Sequence, residues 1–99
     1  MAEVHGGWTA IKPADSNVKA ICKEVRPDVE KRVGKSFEEF TPLQYTSLQK
    51  KGIDYWIKVH VGGEDSLHMK AHHSFGTFGE GTKIIIVDAK KSADELVPK

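Results

Sequence analysis

A single cysteine, Cys22, leaves the chain unable to close an internal disulfide. Its longest aliphatic run, Ile84-Ile85-Ile86-Val87, falls far short of the roughly 20 residues that span a bilayer. Neither charge sign dominates: 15 basic residues oppose 14 acidic ones for a net charge of +1. This balance gives no electrostatic case for nucleic acid or an anionic membrane as partner. The opening residues, MAEVHGGWTAIKP, lack the basic start and apolar segment of a secretory leader. With the lone cysteine, that predicts a reducing, cytoplasmic setting. No P-loop, GxGxxG or CxxC is present, so no cofactor is indicated.

The strongest pattern present is Leu43 to Val61. Ile53, Tyr55, Ile57, Val59 and Val61 alternate with Asp54, Trp56, Lys58 and His60. Period-two alternation rich in β-branched and aromatic residues predicts a strand with one core face and one mixed face toward solvent. Leu43 and Tyr45 share the parity of the inner face and predict a partner strand. Setting Tyr45 opposite Tyr55 centres the turn on Lys50, with Gln49-Lys50-Lys51-Gly52 as its tip.

Upstream, Asp15 or Ser16 is a suitable N-cap for a helix of about 18 residues, or ~27 Å. Val18, Ile21, Cys22, Val25, Val29 and Val33 form one apolar stripe, with charged residues on the other side. Pro27 should kink this helix and Gly34 should end it. Cys22, on the stripe, reads as a buried structural thiol. Trp8, directly after Gly6-Gly7, is an anchor either for the protein's own core or for a partner.

Downstream, Leu67, Met69 and Ala71 must share the inner face with Val59 and Val61. Odd residues must therefore pair with odd, which calls for a loop of three or five residues around Gly62-Gly63. The glycine-rich stretch 73–81 reads as a second long hairpin loop. Lys83 to Asp88 reads as the last strand, with Ile84, Ile86 and Val87 inward, and the tail from Lys90 to Lys99 reads as exposed. One helix followed by four antiparallel strands predicts an α+β domain spanning all 99 residues. A short strand near Trp8 to Ile11 would make a fifth.

His60, His68 and His72 share the non-core face, and one register sets His60 opposite His68. Zinc needs three or four ligands with support behind them, and Lys58 and Lys70 would repel a cation. The histidines therefore read as solvated surface groups, with no metal site and no enzyme. What remains is a scaffold presenting loops, the form of a binding module.

Gln44-Tyr45 followed by Tyr55-Trp56-Ile57-Lys58-Val59-His60-Val61-Gly62-Gly63 resembles the central hairpin of the stefins, the disulfide-free branch of the cystatin cysteine-protease inhibitors. Gly6-Gly7, Lys12-Pro13-Ala14, Val25-Arg26-Pro27 and Asp94-Glu95-Leu96 extend the likeness over almost the whole chain. The resemblance implies a cystatin-like fold, with one long helix packed on a four- to five-stranded antiparallel sheet. It also implies a wedge that enters the cleft of papain-like cysteine proteases without doing chemistry. The wedge would comprise Gly6, Gly7 and Trp8; Leu48, Gln49, Lys50, Lys51 and Gly52; and Ser74, Phe75 and Gly76. Stefin hairpins are prone to exchange through the first loop, so the resemblance allows a domain-swapped dimer beside the monomer.

The middle element departs from the family pattern Gln-Val-Val-Ala-Gly. Here it reads Leu48-Gln49-Lys50-Lys51-Gly52, with only the glycine kept. The second loop has Phe75-Gly76 where stefins often carry Leu-Pro. The sequence therefore implies an inhibitor weakened or redirected at its first loop; the alternative is a stefin-fold interaction module that does not inhibit.

Overall fold

The computed structural model describes residues 7–49, 51–74 and 81–97. Its elements are β1 (Lys12–Pro13), α1 (Ser16–Val33), β2 (Thr41–Gln49), β3 (Ile53–Gly62), β4 (Asp65–Ser74) and β5 (Gly81–Lys91). The strands form one antiparallel sheet in the order β1-β2-β3-β4-β5, and α1 packs across one face. Among the described residues no helix is long and apolar enough to cross a membrane.

Asp15 starts the helix. Its backbone is extended, and its carboxylate accepts from the Val18 amide at 2.9 Å and from the Tyr45 hydroxyl at 2.9 Å. One side chain thus caps the helix and ties it to β2, and these bonds hold the Asp15 carboxyl below its ordinary pKa. Gly34 ends the helix in the left-handed region at φ 78°, with its amide bonded to the Glu30 carbonyl. The helix is continuous through Pro27. Val18, Ile21, Cys22, Val25 and Val29 are buried, but Val33, the last helical residue, is exposed. Cys22 is sealed in this core, and burial pushes its thiol up to about 12.

Tyr45 pairs with Ile57, Ser47 with Tyr55 and Gln49 with Ile53. The expected register is therefore off by one pair, and the turn centres on Lys51 instead of Lys50. Tyr45 and Tyr55 are diagonal neighbours, with ring centroids 6.1 Å apart and a 50° tilt, an arrangement aromatic rings favour. A bulge between Pro42 and Gln44 turns Leu43 outward, where parity alone put it inside.

Between β3 and β4, odd residues do pair with odd: Tyr55 with Ala71, Ile57 with Met69, Val59 with Leu67. A bulge beyond His60 then brings Gly62 opposite Asp65, so the connection tightens to Gly63-Glu64. Gly62 and Gly63, at φ 115° and 56°, supply the backbone that this turn requires. This register sets His68 opposite Lys58 and His60 opposite Ser66, not the two histidines opposite each other.

A further bulge explains the Ile84-Ile85-Ile86-Val87 run. Ala71 pairs with Ile84 and Lys70 with Ile86, leaving Ile85 unpaired and exposed. Ile84 and Val87 join the helix-side core, whereas Ile86 packs on the opposite face, correcting the expectation that Ile84 and Ile86 point the same way. Arg32 donates to the carbonyls of Ile85 and Ile84 at 2.8 and 3.2 Å, pinning the helix end to the bulge.

The largest correction concerns the second face of β3. Asp54, Trp56 and Lys58 are buried there. The chain's two ends cover this face: Trp8 and Leu96 close over Trp56, with Leu48 and Ile86 alongside. The tail is thus not simply exposed, since Leu96 is 2% accessible. The Lys58 ammonium donates to the carbonyls of Ser92 and Asp94 at 2.6 and 2.9 Å and clamps the tail. At the other end, bonds from Thr9 N to Ser47 O and from Ala14 N to Leu43 O bracket β1. The fifth strand therefore exists but begins at Lys12, beyond the expected Trp8 to Ile11.

Candidate functional site at the hairpin end of the sheet

Antiparallel order brings the β2–β3 turn and the stem of the β4–β5 connection to the same end of the sheet. The start of the described chain joins them, because a Cβ on Gly7 would stand 2.9 Å from the Leu48 side chain. Gly7, Trp8, Leu48, Gln49, Lys51, Gly52 and Ser74 are thus gathered around one edge. Gly6, Lys50, Phe75 and Gly76 lie outside the described residues.

Each part of this edge is fixed by local packing. Gly52 has φ 120°, and a Cβ there would lie 2.5 Å from the His73 carbonyl oxygen and 3.2 Å from the His72 ring. Only glycine permits that approach, so the first turn rests on the stem of the second loop. Lys51 precedes it at φ 46°, the single positive φ outside glycine among the described residues. Gln49 and Lys51 are exposed. Leu48 is half-buried against the Trp8–Trp56–Leu96 cluster. The Trp8 side chain is 6% accessible, and the Lys70 ammonium sits 5.9 Å from its ring centroid. Trp8 therefore takes the packing role and holds the N-terminal segment in place.

The histidines have structural work that their sequence positions concealed. His72 Nδ1 bonds to the buried Asp54 carboxylate, one step across the strands, with the ring beside Gly52. His73 Nδ1 lies 2.8 Å from Thr82 Oγ1, which donates onward to Glu24 at 3.4 Å. Because the Thr82 hydroxyl has one proton, His73 is the donor in this relay, which links the second stem to α1. The clue was parity: Asp54 and His72 are even residues on adjacent strands.

At the opposite end, His60 bonds Glu39 at 2.6 Å through Nδ1 and the Gly63 carbonyl at 2.9 Å through Nε2. The Gly63 carbonyl and Glu39 raise the His60 pKa, and His60 in turn lowers that of Glu39. His68 is buried, contrary to the solvated reading, and burial followed by Lys58 and Lys90 pushes its pKa down. Its Nε2 and the Trp56 Nε1 have no hydrogen-bond partner among the described residues. No group of three or more potential metal ligands is assembled among the described residues.

These features define an α+β domain of cystatin-like form, with its loops gathered at one end. No protein-family model matches the chain. Among curated proteins, it is 32% identical over 97 residues to a Cystatin-B of Oplegnathus fasciatus, spanning 98% of this chain and 97% of that protein. It is 32% identical over 90 residues to the Leukocyte cysteine proteinase inhibitor 1 of Sus scrofa, with 91% and 87% covered. A Cystatin-A of Bos taurus is 35% identical over 71 residues, or 72% of each chain. The chain belongs to the stefin family of cystatins, a family of cysteine protease inhibitors.

Proposed function

We propose that this protein is a reversible inhibitor of papain-like cysteine proteases that acts in the cytoplasm by blocking the active-site cleft. The observation that carries this reading is the mutual support of the three contact segments, above all Gly52 seated against the His73 carbonyl. Segments held by a sheet lose little conformational freedom on binding, so the inhibitor needs no rearrangement. Inhibition is by occupancy: the one thiol, Cys22, is buried in the helix-side core and held protonated by that burial. The Sus scrofa relative's name, a cysteine proteinase inhibitor, supports the same activity.

The first turn sets the strength. Gln49 and Lys51 stand exposed where the family pattern has apolar or small residues. Each valine left unburied in a complex forfeits roughly 1.5–3 kcal/mol, about tenfold to a hundredfold in affinity. We therefore place this chain among weaker inhibitors of neutral-cleft proteases. Titration of papain and cathepsin-type proteases with the purified protein tests the reading. Competitive, reversible inhibition is expected, and none at micromolar concentration would sink it in favour of a stefin-fold interaction module.

A further inference from the structure

Although the whole chain is nearly neutral, its charge is unevenly placed. In sequence, stretches 6–14, 41–53 and 71–79 contain no aspartate or glutamate, and the glycine-rich stretch 73–81 has one carboxylate, Glu80. The first two of these contain Lys12, Lys50 and Lys51. Of the carboxylates beside the contact edge among the described residues, Asp54 is buried and bonded to His72, and Glu24 accepts from the Thr82 hydroxyl. Among the described residues, the exposed charged side chain of the first turn is therefore Lys51.

Lys51 delivers that charge from a fixed position. It lies at the centre of the turn closed by the Gln49–Ile53 pair, with its backbone in the left-handed region, and a Cβ on the adjacent Gly52 would abut the His73 carbonyl. Its side chain is exposed. An ammonium entering a cleft loses hydration that only a carboxylate or a set of acceptors replaces. A neutral or basic cleft would thus be disfavoured and an acidic one selected. Before contact, the same charge speeds encounter with an acidic surface over about 10 Å at 0.1 M salt.

Building on the inhibitor reading above, we infer that Lys51 is a specificity determinant, and that the partner is a papain-like protease whose cleft rim carries carboxylates facing the first hairpin turn. Four association measurements test this: wild type and Lys51→Asn, each against one acidic-rimmed protease and a variant with its rim Asp and Glu changed to Asn and Gln. Asparagine tolerates the left-handed backbone, so K51N removes charge without displacing the turn. Raising ionic strength should slow wild-type association with the acidic rim about tenfold. K51N should associate about threefold more slowly at low salt, with a shallower salt dependence and an unchanged melting temperature. Neutralising the rim should erase the difference between the two inhibitors. Equal binding to both rims, or a K51N salt slope equal to wild type, overturns this inference and leaves the inhibitor reading standing. Binding to neither protease at micromolar concentration overturns both.

Discussion

Gly52, in the turn that leads into β3, lies so close to His73 of the neighbouring β4 that a single added carbon on Gly52 would come 2.5 Å from the His73 carbonyl oxygen. Gly52 also has φ 120°, which a side chain resists independently. Gly52→Ala should therefore cost about 1–3 kcal/mol, measured by urea denaturation. Inhibition should fall by more than that loss implies at concentrations where the variant remains folded, because the first turn would move off the stem of the second loop.

Restoring apolar side chains at the tip should act the other way. The double variant Gln49→Val, Lys50→Val should bind papain more tightly by about tenfold to a hundredfold per valine buried in the complex. Inhibition constants of the single and double variants give the answer. A flat series would mean that the turn does not enter the cleft.

Trp8 should matter for stability as well as binding. It closes over Trp56 and Leu96, and Trp8→Ala should destabilise the fold by about 3 kcal/mol. Trp8→Phe, which retains most of the buried surface, should recover much of that loss. Thermal melts of the two variants, compared with their inhibition constants, separate anchoring from direct contact.

His60 and His68 should respond to pH in opposite senses. The Gly63 carbonyl and Glu39 raise His60 above its ordinary 6.5, so its stabilisation is complete below 6.5 and is lost as pH rises through the raised value. Glu39, depressed by His60, contributes above its ordinary 4.5 and loses that contribution as pH falls through its lowered value. Both groups are partly exposed, so solvent screens the pair and its effect on stability is small. Burial, then Lys58 and Lys90, depress His68 against the opposing pull of Asp94 and Asp88. Its contribution is present above 6.5 and is lost as pH falls toward the depressed value, because the unfolded chain takes the proton first. Histidine NMR titrations should place the His60 midpoint above 6.5 and that of His68 below it. The reverse order would contradict the pairing described.

Much of this architecture was legible from local patterns. Asp15 and Gly34 marked the helix ends because capping chemistry is local. The odd-with-odd pairing of β3 and β4 followed from the two-residue period of a strand. What escaped was longer in range. Bulges at Leu43, beyond His60 and at Ile85 each shift the pairing by a residue, and no spacing rule announces them. The burial of Trp56, Lys58 and His68 depends on Trp8 and Leu96 arriving from distant parts of the chain, so period two alone could only assign that face to water. The segments proposed for the contact edge were taken from the family resemblance. The Gly52–His73 approach and the Asp54–His72 pair required the register.

The cluster of Trp8, Trp56 and Leu96 has a kinetic consequence. The helix-side core can assemble from neighbouring hairpins and one helix, whereas this second cluster must bring together residues separated by most of the chain. Closing so long a loop is entropically expensive and rewards the chain only after the sheet exists to receive it. The N-terminal segment is thus expected to dock last in refolding and to open first in native-state hydrogen exchange, with the Thr9 amide losing protection ahead of Tyr55 and Ile57. Uniform exchange across these amides would show that the two faces of the sheet close together.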